Sequence, residues 1–105
     1  MDIENARKIA LGFSETVEQD HFGKPSFRVR GRIFATVPDG THLNVMIDPF
    51  DVDAVVRADP ESCVELMWGK EVRGVRVSLP KAAPAMVEEL LRTAWQRKAP
   101  KRLST

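Results

Sequence analysis

The stretch "FRVRGRIFATV", residues 27–37, decides the fold. Apolar residues alternate with polar ones on both sides of Gly31, which predicts two β-strands joined by a tight turn. The length of that turn sets which side chains share a face, because a shift of one residue turns a whole strand over. A two-residue loop at Arg30 and Gly31 would set Phe27 opposite Phe34.

A three-residue loop, Arg30–Arg32, is the preferred interpretation. It pairs Val29 with Ile33 and Phe27 with Ala35, so that the small apolar side chains share one face. The arginines then lie at the hairpin tip or on the solvent side of the sheet.

Upstream of this hairpin, apolar residues at helical spacing predict a first helix that ends near Gly12. The segment "ETVEQ", residues 15–19, is interpreted as a strand with Val17 pointing inward. Asp20 to Pro25 is interpreted as a loop, because it contains Gly23 and Pro25.

Downstream, residues 42–47 alternate as a third strand, and "DPFD", residues 48–51, has the pattern of a helix start. Asp48 can cap the helix and Pro49 suits its first turn, so these acids have a structural explanation rather than a metal-binding one. A second hairpin around "GKEVRG" and an amphipathic helix over 84–98 follow. The side chains predicted to be buried are Val45, Leu66, Val77, Leu90 and Trp95.

These elements predict an α+β fold in which an antiparallel β-sheet, a meander plus a hairpin, is covered on one face by helices. The 105 residues suit a single domain, 1–105, with a basic C-terminal tail at about 97–105. No apolar stretch approaches the ~20 residues of a membrane span. The single cysteine, Cys63, and the absence of a signal-peptide pattern favour a cytoplasmic location.

Basic residues are concentrated in the two hairpins, although the net charge is only +1. Lysine and arginine at such spacing are the residues that contact nucleic-acid phosphates. The candidate nucleic-acid-binding residues are Lys24, Arg28, Arg30, Arg32, Lys70, Arg73 and Arg76. Five further bases and no acid lie between Arg92 and Arg102.

Enzyme function is the least favoured class. The only histidines are His21 and His42, and no flanking motif links either to Cys63 as a nucleophile pair. Three such residues without short spacing fall below the four ligands typical of structural zinc. No glycine-rich phosphate loop is present, so the sequence predicts no metal, no cofactor and no catalytic residue.

The segments "HFGKPSFRVRGRIFATV", "LNVMIDP", "RVSLP" and "LLRTAWQRKAPKRL" resemble the MmcQ/YjbR family in order and separation over nearly the whole chain. The resemblance implies a CyaY/frataxin-like fold and a DNA-binding role, with the hairpins as wing-like elements. It implies no catalytic motif. The acidic iron surface of frataxins is not matched here, because Arg7 and Lys8 stand beside Asp2 and Glu4 in the first helix.

Two functions therefore remain open. The first is DNA binding through the basic hairpins, with little sequence specificity, because no helix-turn-helix pattern is present. The alternative is a non-enzymatic protein-interaction or homodimerisation module. It would use the open sheet face, on which Phe34, Met46 and Met67 are expected to be exposed.

Overall fold

The computed structural model describes residues 1–103 as three helices and a six-stranded antiparallel sheet. Along the chain the elements are α1 (Ile3–Leu11), β1 (Thr16–His21), β2 (Lys24–Val29), β3 (Arg32–Thr36), β4 (His42–Val45), α2 (Pro49–Ala58), β5 (Cys63–Trp68), β6 (Glu71–Ser78), α3 (Pro84–Lys98) and a 3-10 turn (Lys101–Leu103). The strand order β1-β2-β3-β4-β6-β5 confirms the predicted α+β class with a meander and a hairpin.

The helices cover one face of the sheet. α3 packs against β3 and β4, α2 against β5 and β6, and α1 against α3 and β1. Side chains cap two of the helix starts: Asp2 accepts from the Asn5 N–H, and Asp48, as predicted, accepts from the Phe50 N–H at 2.9 Å. The opposite face of the sheet is left open. Among the described residues, no helix combines the length and hydropathy needed to cross a membrane.

An aromatic cluster links α1, β3 and α3. Phe13, which follows α1, stacks on Trp95 with ring centroids 5.8 Å apart and meets Phe34 edge-on at 6.5 Å. The Trp95 indole N–H donates to the Ser14 carbonyl oxygen at 3.0 Å, so its polar atom is satisfied. This cluster fixes α3 against the sheet, and with it the position of the helix C-terminus.

The predicted three-residue turn is wrong. Val29 pairs with Arg32, which leaves Arg30 and Gly31 as a two-residue turn, both with positive φ. Type I′ two-residue turns require positive φ at both residues, and their twist matches the flanking strands.

A β-bulge then restores the inward face of β3. The pairing shifts between Arg28 opposite Ile33 and Phe27 opposite Ala35, so that Phe34 is the extra residue. Phe34 and Ala35 are both fully buried, and the expected exposure of Phe34 on the open face is therefore wrong.

The β1–β2 hairpin is also tighter than predicted. The strand at "ETVEQ" exists, but Val17 lies on the open side and is 49% exposed, so its predicted inward orientation is wrong. The loop from Asp20 to Pro25 reduces to Phe22 and Gly23, because Asp20 and His21 end β1 and β2 begins at Lys24. Positive φ at Phe22 and Gly23 gives this turn the same two-residue form as the next one.

Four of the five predicted core residues are confirmed as buried, namely Val45, Val77, Leu90 and Trp95. Leu66 is only half-buried, because β5 has the opposite phase from the predicted one. Cys63 is the residue of β5 that points inward, opposite Val77. The turn between β5 and β6 is also shorter than the predicted loop "GKEVRG". It consists of Gly69 and Lys70, between Trp68 and Glu71.

Replacing Leu90 with alanine is expected to lower the free energy of unfolding by about 2–5 kcal/mol, because its side chain on α3 is buried in the core. The measurement is the urea denaturation midpoint. Glu89→Ala is the matched control, since Glu89 is the exposed neighbour on α3 and should change stability by less than about 0.5 kcal/mol. Equal midpoints for wild type and Leu90→Ala would contradict this packing.

Candidate functional site

A groove crosses the open face of the sheet and ends beside the C-terminus of α3. Its volume is about 560 Å³, within the range of ~300–1,000 Å³ typical of ligand pockets. Strands β1, β3, β4, β5 and β6, the start of α2 and the end of α3 all contribute to it. The lining residues are His21, Ile33, Thr36, Asn44, Met46, Pro49, Leu66, Met67, Trp68, Glu71, Val72, Arg73, Arg97 and Lys98.

The floor of the groove is largely apolar, and Ile33, Leu66 and Val72 are among its lining residues. The two-residue turn explains Ile33, because it sets Ile33 opposite Arg28 on the face away from the helices. Beside this floor the Asn44 side-chain oxygen accepts from Arg76 Nε at 2.9 Å.

Strands β4 and β6 approach closely at Gly74. A Cβ on Gly74 would overlap the Val45 carbonyl oxygen, so only glycine fits there.

Four cations converge at one end of the groove and are called here the basic cluster: Arg32, Arg73, Arg97 and Lys98. Arg32 Nη1 donates to the Lys98 carbonyl oxygen at 3.4 Å, and Arg97 Nη1 donates to the Met46 carbonyl oxygen at 3.3 Å. Burial, followed by the positive charges of Arg97, Arg32 and Arg73, lowers the pKa of Lys98. Mutual repulsion thus accompanies the approach of these side chains.

Little negative charge offsets the basic cluster. Glu71 is the one carboxylate among the described residues that line the groove, and it pairs with Arg73 at 3.1 Å. Within residues 1–103, no carboxylate forms an ion pair with Arg32, Arg97 or Lys98. The last carbonyls of α3 carry partial negative charge, which accounts in part for the bases there.

The sequence-predicted residues of the β2–β3 hairpin divide into two groups. Arg30 forms a bidentate ion pair with Glu15, at 2.8 and 2.9 Å, and Lys24 Nζ donates to the Pro38 carbonyl oxygen at 2.7 Å. Arg28 is half-buried and donates to Ser26 Oγ at 3.1 Å. Arg32 alone of these four belongs to the basic cluster.

The predicted residues of the second hairpin also take different positions. Lys70 is exposed in the turn, Arg73 stands at the rim of the groove, and Arg76 is held by Asn44. The structure brings together Arg32 and Arg73 but not Lys24 or Lys70. Sequence reasoning did not include Arg97 and Lys98 among the site residues; their signal was the acid-free run from Arg92 to Arg102.

Trp68 gives the groove an exposed aromatic surface. Its side chain is 72% exposed at the end of edge strand β5, and the Arg73 guanidinium lies 5.2 Å from its ring centroid. Met67 is also exposed, as expected from the sequence, whereas Met46 is half-buried. An exposed tryptophan beside a set of cations combines a stacking surface with positive charge.

The residues weighed for catalysis or metal binding lie apart. His21 lines the groove, His42 Nδ1 lies 3.0 Å from Asp39 Oδ1, and Cys63 Sγ contacts Met86 Sδ at 3.9 Å on the helix side. Within residues 1–103, no three His, Cys, Asp or Glu side chains are grouped so that they could hold a metal ion.

Cys63 is expected to react slowly in the folded protein. It is fully buried, and burial first and the charge of Asp59 second raise the pKa of its thiol, so less reactive thiolate exists at any given pH. Iodoacetamide labelling near pH 8, followed by mass spectrometry, should give little adduct without denaturant and complete adduct in urea. Native labelling at the rate of a free thiol would contradict the buried position.

Comparison with known proteins identifies relatives of this fold. A family model described as YjbR matches residues 11–97. The crystal structure of a Deinococcus radiodurans protein with a DUF419 domain, the same family, superposes with a TM-score of 0.78 at 20% identity. The superposition covers 90% of this chain and 76% of that one. No curated protein sequence matches the chain at a significant level.

Proposed function

The chain belongs to the YjbR family, and we propose that it binds DNA through the basic cluster, with little dependence on base sequence. The observation that carries the proposal is the convergence of four cations from β3, β6 and α3 with one carboxylate among them. Like charges held together destabilise the folded protein unless an anion offsets them. A row of phosphates is such an anion.

The same geometry changes which of the predicted residues are expected to contact phosphates. Glu15 already neutralises Arg30, and Arg28 and Arg76 are held by protein oxygens on the open face. We assign the phosphate contacts to Arg32, Arg73, Arg97 and Lys98, with Lys24 and Lys70 as outlying charges. Phosphate contacts of this kind position a nucleic acid without reading its sequence.

We propose no catalytic activity and a cytoplasmic location for the protein. The described residues that line the groove include one histidine, His21, and no serine or cysteine that it could activate as a nucleophile. The polar groups of the groove bind and orient rather than transfer protons.

A salt series tests the proposal. The variant Arg97→Gln/Lys98→Gln should reduce the magnitude of the slope of log affinity against log salt by roughly 0.9 for each duplex phosphate that the protein no longer neutralises. Fluorescence anisotropy on two duplexes of unrelated sequence gives the slopes, and both duplexes should weaken alike. The free energy of unfolding in urea should stay within about 0.5 kcal/mol of wild type, since the Arg97 hydrogen bond that is lost is exposed and 3.3 Å long. The bond from Arg32 is retained, because it is accepted by the Lys98 backbone carbonyl oxygen.

Two variants serve as controls for the removal of charge. Arg30→Gln removes a hairpin charge that Glu15 already offsets, and Arg57→Gln removes a charge paired with Asp53 on α2, away from the groove. Each should leave the slope nearly unchanged. Equal slopes for all variants, or no wild-type affinity for duplex or single-stranded DNA at about 50 mM salt, would refute DNA binding through this cluster.

A second candidate function is a homodimer or a protein complex formed through the open face. Val64, Met67 and Trp68 are exposed on β5, which is an edge strand with unpaired backbone groups. Sedimentation velocity of the wild type and of Met67→Lys separates this role from DNA binding. A dimer that the substitution dissociates, together with absent DNA affinity, would favour it.

A further inference from the structure

The groove joins two features that phosphate binding alone does not require, namely an exposed aromatic ring and an apolar floor. A duplex hides the faces of its bases in the stack, so its contacts with a protein are phosphates and groove edges. A single strand presents unpaired bases, which stack on aromatic side chains while cations follow the backbone.

We infer that the groove accepts single-stranded DNA, with one base stacked on Trp68 and the adjacent phosphates on the basic cluster. The inference rests on the proposed function and names the form of DNA that the site takes. Trp68 is the large aromatic residue in the lining, and its 72% exposure leaves the ring open to a base.

The position of Arg73 supports this assignment. Its guanidinium lies 5.2 Å from the Trp68 ring centroid, where it holds positive charge beside the indole. Glu71 pairs with the same guanidinium, so Arg73 contributes less net charge than Arg97 or Lys98. Arg73 therefore lies both beside the stacking surface and in the basic cluster at the charged end of the groove.

The apolar floor supports it as well. Ile33, Leu66 and Val72 give the groove lining an apolar part. A base that leaves the solvent buries its apolar faces there. Thr36, which also lines the groove, supplies a hydroxyl able to hydrogen-bond to a base edge.

The test compares a thymidylate oligomer of about ten nucleotides with a duplex of the same length. Trp68→Ala should weaken binding of the single strand roughly 5- to 150-fold, the effect of removing the stacking of one base. The duplex should weaken less than about twofold, because its base faces are not available. Trp68→Phe retains a ring and should restore most of the single-strand affinity.

Tryptophan emission gives a second readout. Trp68 is exposed and Trp95 is buried, so a base stacked on Trp68 should quench the solvent-exposed part of the emission. The quench should disappear in Trp68→Phe while binding persists. Phe22→Ala is the matched control, because Phe22 is 93% exposed and lies outside the groove lining.

The outcomes separate this inference from the proposed function. Single-strand affinity of Trp68→Ala within twofold of wild type, or an equal loss in Phe22→Ala, overturns the stacking assignment while salt-dependent duplex binding still stands. An RNA strand of the same sequence that binds more tightly than DNA overturns the choice of DNA. No affinity of the wild type for either DNA form overturns both.

Discussion

The two-residue turn at Arg30 and Gly31, together with the β-bulge at Phe34, is the constraint on which the rest of the structure depends. The two-residue turn sets Ile33 opposite Arg28 on the open face and turns Phe34 toward the helices, but by itself it would place Ala35 on the open face. The extra residue at the bulge corrects this, so that Ala35 pairs with Phe27 and is buried together with Phe34. Ile33 then lines the groove on the open face.

Through the aromatic cluster this hairpin also determines where the cations lie. Phe34 meets Phe13, which stacks on Trp95 of α3, so the hairpin and the last helix are fixed to one another. The C-terminus of α3 therefore ends beside the start of β3, and Arg32 reaches the Lys98 carbonyl oxygen. A core contact thus places the charges of the basic cluster, and a bound anion would raise the lowered pKa of Lys98.

Much of the fold could be predicted from the sequence, because helix caps and alternation are local signals. Asp48 and Pro49 begin α2 as expected, and Val77 lies on the predicted face. The parity of β3 could not be predicted, since a bulge is chosen by packing against α1 and α3, which are distant in sequence. The phase of β5 failed for a related reason: an edge strand has only one partner, and Leu66 faces the groove instead of the core.

The site was predictable only in part. Clustered bases marked the hairpins, but charge along a strand does not tell which cation a neighbour neutralises, as Glu15 neutralises Arg30 across 15 residues. Arg97 and Lys98 join the site because a helix end folds against a hairpin far from it in sequence. Their proximity to the hairpin results from tertiary packing, which the spacing of residues in the sequence does not show.

The most direct test of the central claim, that DNA binds at the basic cluster, is a map of backbone amide NMR shifts during titration with short DNA. The account predicts that the amides of Arg32, Trp68 and Lys98 shift together and saturate at one concentration, while those near Arg57 on α2 stay unchanged. Shifts confined to the turns at Lys24 and Lys70, or no shifts at all, would contradict it.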